Sequence, residues 1–216
     1  MKTFWLKRQN NSKLVLFFCG WGMDKNSVEH LKIGDFDMLL VYDYSTLNFD
    51  VNLQDYTEIT LIAWSMGVFA ASLVCNQLNI QKSIAINGTQ LPIDAVFGIN
   101  PKIYQLTLDN FLEDTRNKFF ENMFCSADGY KKFAKPNRTV ENQKQELEFL
   151  KDIVVQNQSL DFEFDCAIIS NRDNIIPTKN QQKFWQTKKV KVVELNSGHY
   201  PFFEFDSLEE IINEAL

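Results

Sequence analysis

The chain has 216 residues, 45% apolar and 13% aromatic, enough for one domain with a sizeable core and too few for two ordinary ones. Its formal net charge of -6, with no long basic tract, argues against nucleic acid as a partner, because phosphate binding is carried by clustered Lys and Arg. No run of about 18 apolar residues offers a membrane span. Charges at Lys2, Lys7 and Arg8 interrupt any signal-peptide core, so a cytoplasmic location with no membrane partner is expected; the chain is also expected to be a monomer.

From the amino end, "TFWLKR", the turn "QNNS" and "KLVLFF" read as an antiparallel pair opening a sheet, since Asn and Ser supply turn chemistry between two apolar runs. Asp24 to Leu31 then has helical periodicity and carries His30. The runs "KLVLFFCG" (13–20), "DMLLVYD" (37–43), "EITLIAW" (58–64), "KSIAING" (82–88), "DCAIIS" (165–170) and "KVKVVEL" (189–195) are short and mostly continuous. Parallel strands covered on both faces read this way. Helical periodicity in Met66 to Leu78, Lys179 to Trp185 and Ser207 to Ala215 alternates with them, which implies an α/β class with helices on both sides of a mostly parallel sheet.

Between about 91 and 160 no strand is expected, whereas "NFLEDTRNKFFENMF", "ADGYKKFAK" and "TVENQKQELEFLKDIVVQN" read as helices. This is an insertion between the fourth and fifth parallel strands, well placed to form a lid. The four cysteines, Cys19, Cys75, Cys125 and Cys166, form no CxxC pair, so neither a metal site nor a disulfide framework is expected, and buried free thiols are the default.

Chemistry is concentrated at strand ends. In "AWSMG", Ser65 follows a strand and precedes the helix-forming "MGVFAASLVCNQL", with small residues at Ala63 and Gly67. A nucleophile elbow needs that arrangement, because bulky neighbours would collide with the adjacent strand and helix and the helix amino end faces the developing negative charge. The alternative is a serine N-cap. A nucleophilic serine needs a base, and of the two histidines His199, in "NSGHYPFF" after the last strand, is the better placed. Asp173, in "SNRDNIIP", completes the chain order Ser, Asp, His; Asp165 precedes its strand and is the weaker acid. Acyl transfer also needs two oxyanion donors, expected from the backbone N–H groups of Met66 and of Trp21 in the glycine-flanked turn "CGWGMD".

Taken together, "CGWGMD", "AWSMG", "SNRDNIIP" and "GHYPFF" resemble the α/β-hydrolase superfamily, and more narrowly the BioG-type esterases of biotin synthesis that cleave pimeloyl-[acyl-carrier protein] methyl ester. The resemblance covers nearly the whole chain apart from the insertion; Cys19 stands where many hydrolases carry a histidine. It implies a single α/β-hydrolase domain over 1–216, a serine esterase without cofactor, and acyl-carrier protein as substrate carrier. Between Lys102 and Arg138, seven basic residues against five acidic ones leave a local +2, so the remainder of the chain carries -8. Arg116, Lys131 and Arg138 are the residues expected to dock an acidic carrier. An esterase or thioesterase on another small acyl substrate, or a hydrolase fold that binds without turnover, are the competing readings.

Overall fold

A computed structural model describes residues 1–215. The expected strands form one seven-stranded sheet in the order β1-β3-β2-β4-β5-β6-β7. They are β1 (Lys2–Lys7), β2 (Lys13–Phe18), β3 (Asp37–Tyr42), β4 (Glu58–Trp64), β5 (Lys82–Ile86), β6 (Cys166–Ser170) and β7 (Lys191–Leu195). All neighbours are parallel except β1 and β3.

The opening hairpin is not formed: β1 is antiparallel, but to β3 instead of β2. Burial explains the choice. Leu14 to Phe18 are fully buried on alternate faces, so β2 belongs in the middle of the sheet and both its edges are taken by parallel partners. The half-exposed β1 suits an edge. Its link to β2 is tied down by Asp37, whose carboxylate accepts from Gln9 N at 2.9 Å and Asn11 Nδ2 at 2.8 Å.

Helices α1 (Met66–Val74), α6 (Thr178–Lys188) and α7 (Leu208–Glu214) follow the expected segments. The first two pack on the sheet face of Leu16 and Ala167, and α7 packs on the face of Phe17 and Ile168. The expected helix from Asp24 to Leu31 reduces to one 3-10 turn, Lys25–Ser27. Lys32 N donates to Asp206 O, and Leu208 N to Lys32 O, both at 3.0 Å; a helix running through Leu31 would forbid this extended pairing.

The insertion contains four helices: α2 (Pro101–Asp109), α3 (Glu113–Asn122), α4 (Ala127–Lys132) and α5 (Val140–Gln156). Helix α2 escaped the sequence reading although its start is marked, with Asn100 as side-chain cap and Pro101 at the first helical position. Of the cysteines, three are buried thiols, but Cys125 is exposed.

Candidate active site

The four loops that matter leave the carboxyl ends of β2, β4, β6 and β7, so parallel strands deliver their residues to one edge of the sheet. Ser65 lies between β4 and α1 with φ 57° and ψ -124°, a region a residue with a β-carbon seldom enters. Two glycines make room for it. A β-carbon on Gly67 would come within 2.5 Å of the Phe18 carbonyl oxygen, and one on Gly88 within 2.4 Å of the Ser65 carbonyl oxygen. The hydroxyl does not cap α1. It lies 2.9 Å from His199 Nε2 instead.

His199 Nδ1 is 2.8 Å from Asp173 Oδ2. Asp173 is itself held: Oδ1 accepts from the N–H groups of Ile175 (2.8 Å) and Ile176 (2.9 Å), and Oδ2 from Gln181 Nε2 (2.9 Å). A carboxylate in this position accepts a hydrogen bond from Nδ1–H and leaves Nε2 with its lone pair toward the serine hydroxyl. All three side chains are buried. The His199 carbonyl accepts from Trp64 Nε1 and Asn87 Nδ2, both at 3.0 Å, which fixes the histidine loop. Asp165 lies elsewhere and serves Ser83, accepting from its N–H at 2.7 Å and its hydroxyl at 2.8 Å.

Trp21 and Met66 flank the serine. Among the described residues neither backbone N–H has a hydrogen-bond partner, so both are free to donate. The Trp21 indole packs edge-on against Phe111 and Phe119, with centroids 5.0 Å apart in each pair, and donates to the Gln143 carbonyl at 2.7 Å. Phe111 and Phe119 also line a cavity of about 530 Å³ into which Ser65 and His199 open; Ile103 and Leu106, both more than half exposed, form part of its rim beside Lys118.

The three residues expected at a docking face are not brought together on the surface. Arg138 has a side chain only 5% exposed and is ion-paired with Asp43 (3.1 Å) and Glu146 (2.7 Å). Burial removes it from any external partner. Arg116 is largely covered, bonded to Glu113 and to the Arg138 carbonyl. Lys131 alone is exposed, at 74%, and pairs with Asp128. The sequence reading also missed Gln181, Asn87, Gln143 and Glu146; each is an ordinary polar residue in a helix or loop, with no spacing that marks its role.

Fold and site together define the class: this is an α/β-hydrolase. The family described as "Pimeloyl-ACP methyl esterase BioG" matches residues 1–211, and the chain belongs to that family. It is similar to the crystal structure of BioG from Haemophilus influenzae, with a TM-score of 0.93 and 34% identity over 97% of this chain and 99% of that one. A protein of Bacteroides fragilis named malonyl-[acyl-carrier protein] O-methyltransferase is 39% identical over 207 residues; these are 94% of this chain but only 41% of that protein. A lipase-esterase related protein from Clostridium acetobutylicum shares the fold, at TM-score 0.70 and 15% identity over 100% of this chain and 99% of that one.

Proposed function

We propose that the protein is a serine carboxylesterase that hydrolyses the methyl ester of pimeloyl-[acyl-carrier protein] in biotin precursor synthesis, in the cytoplasm and as a monomer. The observation that carries the reading is the continuous relay Ser65–His199–Asp173 opening into an apolar cavity. His199 Nε2 takes the Ser65 proton as Oγ attacks the ester carbonyl, and Asp173 steadies the imidazolium. The carbonyl oxygen becomes negative between the N–H groups of Trp21 and Met66. On collapse the C–OCH3 bond breaks and methanol leaves with the proton from His199. A water molecule, deprotonated by the same nitrogen, then attacks the acyl-serine and releases the free carboxylate while the thioester to the carrier stays intact.

Two further observations support this substrate class. The cavity wall is mostly aromatic and aliphatic, as a chain of methylenes requires, with polar groups such as Asn110, Asn122 and Asn174 among its lining, and its rim carries the exposed Lys118. The Bacteroides relative, by its name, forms a methyl ester on a carrier-bound diacid, the bond that this reaction removes. Helices α2 to α5 act in this reading as a lid.

The test is release of methanol and pimeloyl-carrier from the purified methyl ester, followed by mass spectrometry. Ser65→Ala is expected to lower kcat about ten-thousand-fold or more, with the melting temperature retained, since triad members act as a unit. Activity of Ser65→Ala within tenfold of the parent would end the serine-esterase reading. Turnover of simple esters without turnover of the carrier-linked one would end the substrate assignment.

A further inference from the structure

Helix α5 reaches under the Gly20–Met23 turn and grips it with two buried side chains. Gln143 Nε2 donates to the Gly22 carbonyl at 2.7 Å, and the Gln143 carbonyl accepts the Trp21 indole N–H at 2.7 Å. Glu146, fully buried and three residues further on, accepts the Gly22 N–H on Oε2 at 3.1 Å and the Tyr44 N–H on Oε1 at 2.8 Å. Arg138 neutralises that carboxylate at 2.7 Å and donates to the Met23 carbonyl at 3.2 Å.

These contacts address a problem the sequence creates. Glycines on both sides of Trp21, with Gly22 at φ 74°, leave the backbone conformationally permissive, and the turn's own long bond from the Met23 N–H to the Gly20 carbonyl, 3.3 Å, does not by itself fix the direction of the Trp21 N–H. The Gly22 N–H is consumed by Glu146, and its carbonyl by Gln143. The turn is thereby oriented from behind, with the Trp21 N–H left unpartnered beside Ser65. A bare carboxylate behind an oxyanion would oppose it; the Arg138 guanidinium cancels that effect.

We propose that Glu146 and Gln143 are positioning residues that hold the Gly20–Met23 turn so that the Trp21 N–H is preorganised for the oxyanion. They touch no substrate and act through the turn. The inference rests on the serine-esterase reading, whose own control is Ser65→Ala. Because a misdirected donor weakens only the transition state, Glu146→Gln and Gln143→Met should each lower kcat about 10- to 100-fold.

The experiment measures three quantities in each variant: kcat, the affinity for the carboxylate product, and inhibition by an alkyl trifluoromethyl ketone. That ketone adds Ser65 Oγ to its carbonyl carbon, with the π pair moving to oxygen and the hydroxyl proton to His199. Its affinity should fall by the same factor as kcat, while product affinity stays within twofold. Folded variants that keep kcat within twofold, or that lose product affinity as much as kcat, overturn the inference. If Glu146→Gln does not fold, Gln143→Met decides by the same readouts; failure of both to fold assigns the contacts to stability and also overturns it. Should Ser65→Ala stay active, the esterase reading falls first, so the two failures are told apart.

Discussion

Ser65 is held at a φ of 57°, a strain of about 1–3 kcal/mol that persists only where surroundings overdetermine it. Here the determinants are the close approach of Gly67 to the ends of β2 and of Gly88 to the Ser65 carbonyl. The strain lifts the hydroxyl off the helix end and onto His199, where the proposed mechanism needs it, instead of leaving it as a helix cap. In the proposed mechanism His199→Ala should cost as much as Ser65→Ala, since the base and the nucleophile form one unit. Asp173→Asn should leave more activity, with kcat down on the order of 1,000- to 10,000-fold, because an amide oriented to Gln181 no longer enforces the tautomer. His30, away from the triad and in contact with the Phe202 carbonyl, is expected to be dispensable within twofold. Steady-state kinetics on one ester decides the order, and an essential His30 beside a dispensable His199 would invert the site.

At the scale of elements, α3 to α5 combine two kinds of cation. Arg138 and Arg116 are interior groups whose charges serve Asp43, Glu146 and Glu113, whereas Lys118, Lys131, Lys132 and Lys135 face solvent. If the insertion meets an acidic carrier, the exposed set must carry the encounter. Lys131→Glu/Lys132→Glu/Lys135→Glu, all outside the cavity lining, should raise KM for the carrier-linked ester about tenfold or more, while a small uncharged ester is hydrolysed within twofold of the parent rate. Arg138→Glu should behave differently, impairing both substrates and lowering the melting temperature, because it places a third carboxylate beside Asp43 and Glu146. Loss on both substrates in the lysine variant would refer those charges to the fold instead of to docking.

Across the whole molecule, the same buried charges link the sheet, the turn and the insertion to pH. Burial works against ionisation of Asp43, but hydrogen bonds from Lys2 and Ser45 and the Arg138 charge outweigh it and lower its pKa from 3.8 to about 2. A depressed acid stabilises the fold above its unfolded pKa, and that contribution is lost as pH falls through the folded value, here between about pH 4 and pH 2. Glu146 has the opposite sign: burial, the dominant cause, raises its pKa, so its ionised form opposes folding above its ordinary 4.5 and acidification relieves the cost. Melting temperatures of the parent and Asp43→Asn should therefore be furthest apart near about pH 6 and converge toward about pH 2. Parallel curves would show that Asp43 does not govern acid lability.

Sequence by itself determined the parts that local chemistry encodes. Continuous apolar runs marked the parallel strands, small residues around Ser65 marked the strained turn, and a chain with only two histidines left one at a strand end. The serine, acid and histidine that meet at the sheet edge were legible because each comes just after a strand, and parallel strands deliver their trailing loops to one side. Neighbour choice was not legible. Periodicity does not say which strand lies beside β1, and the contact with Asp206 to Leu208 that reduces Asp24–Leu31 to a single turn comes from a segment far along the chain. The tertiary structure alone decided which charges are interior. Arg138 and Lys131 look alike in sequence, yet one neutralises two buried carboxylates behind the Gly20–Met23 turn and the other faces water, because desolvation depends on what packs around a side chain and not on its place in the chain.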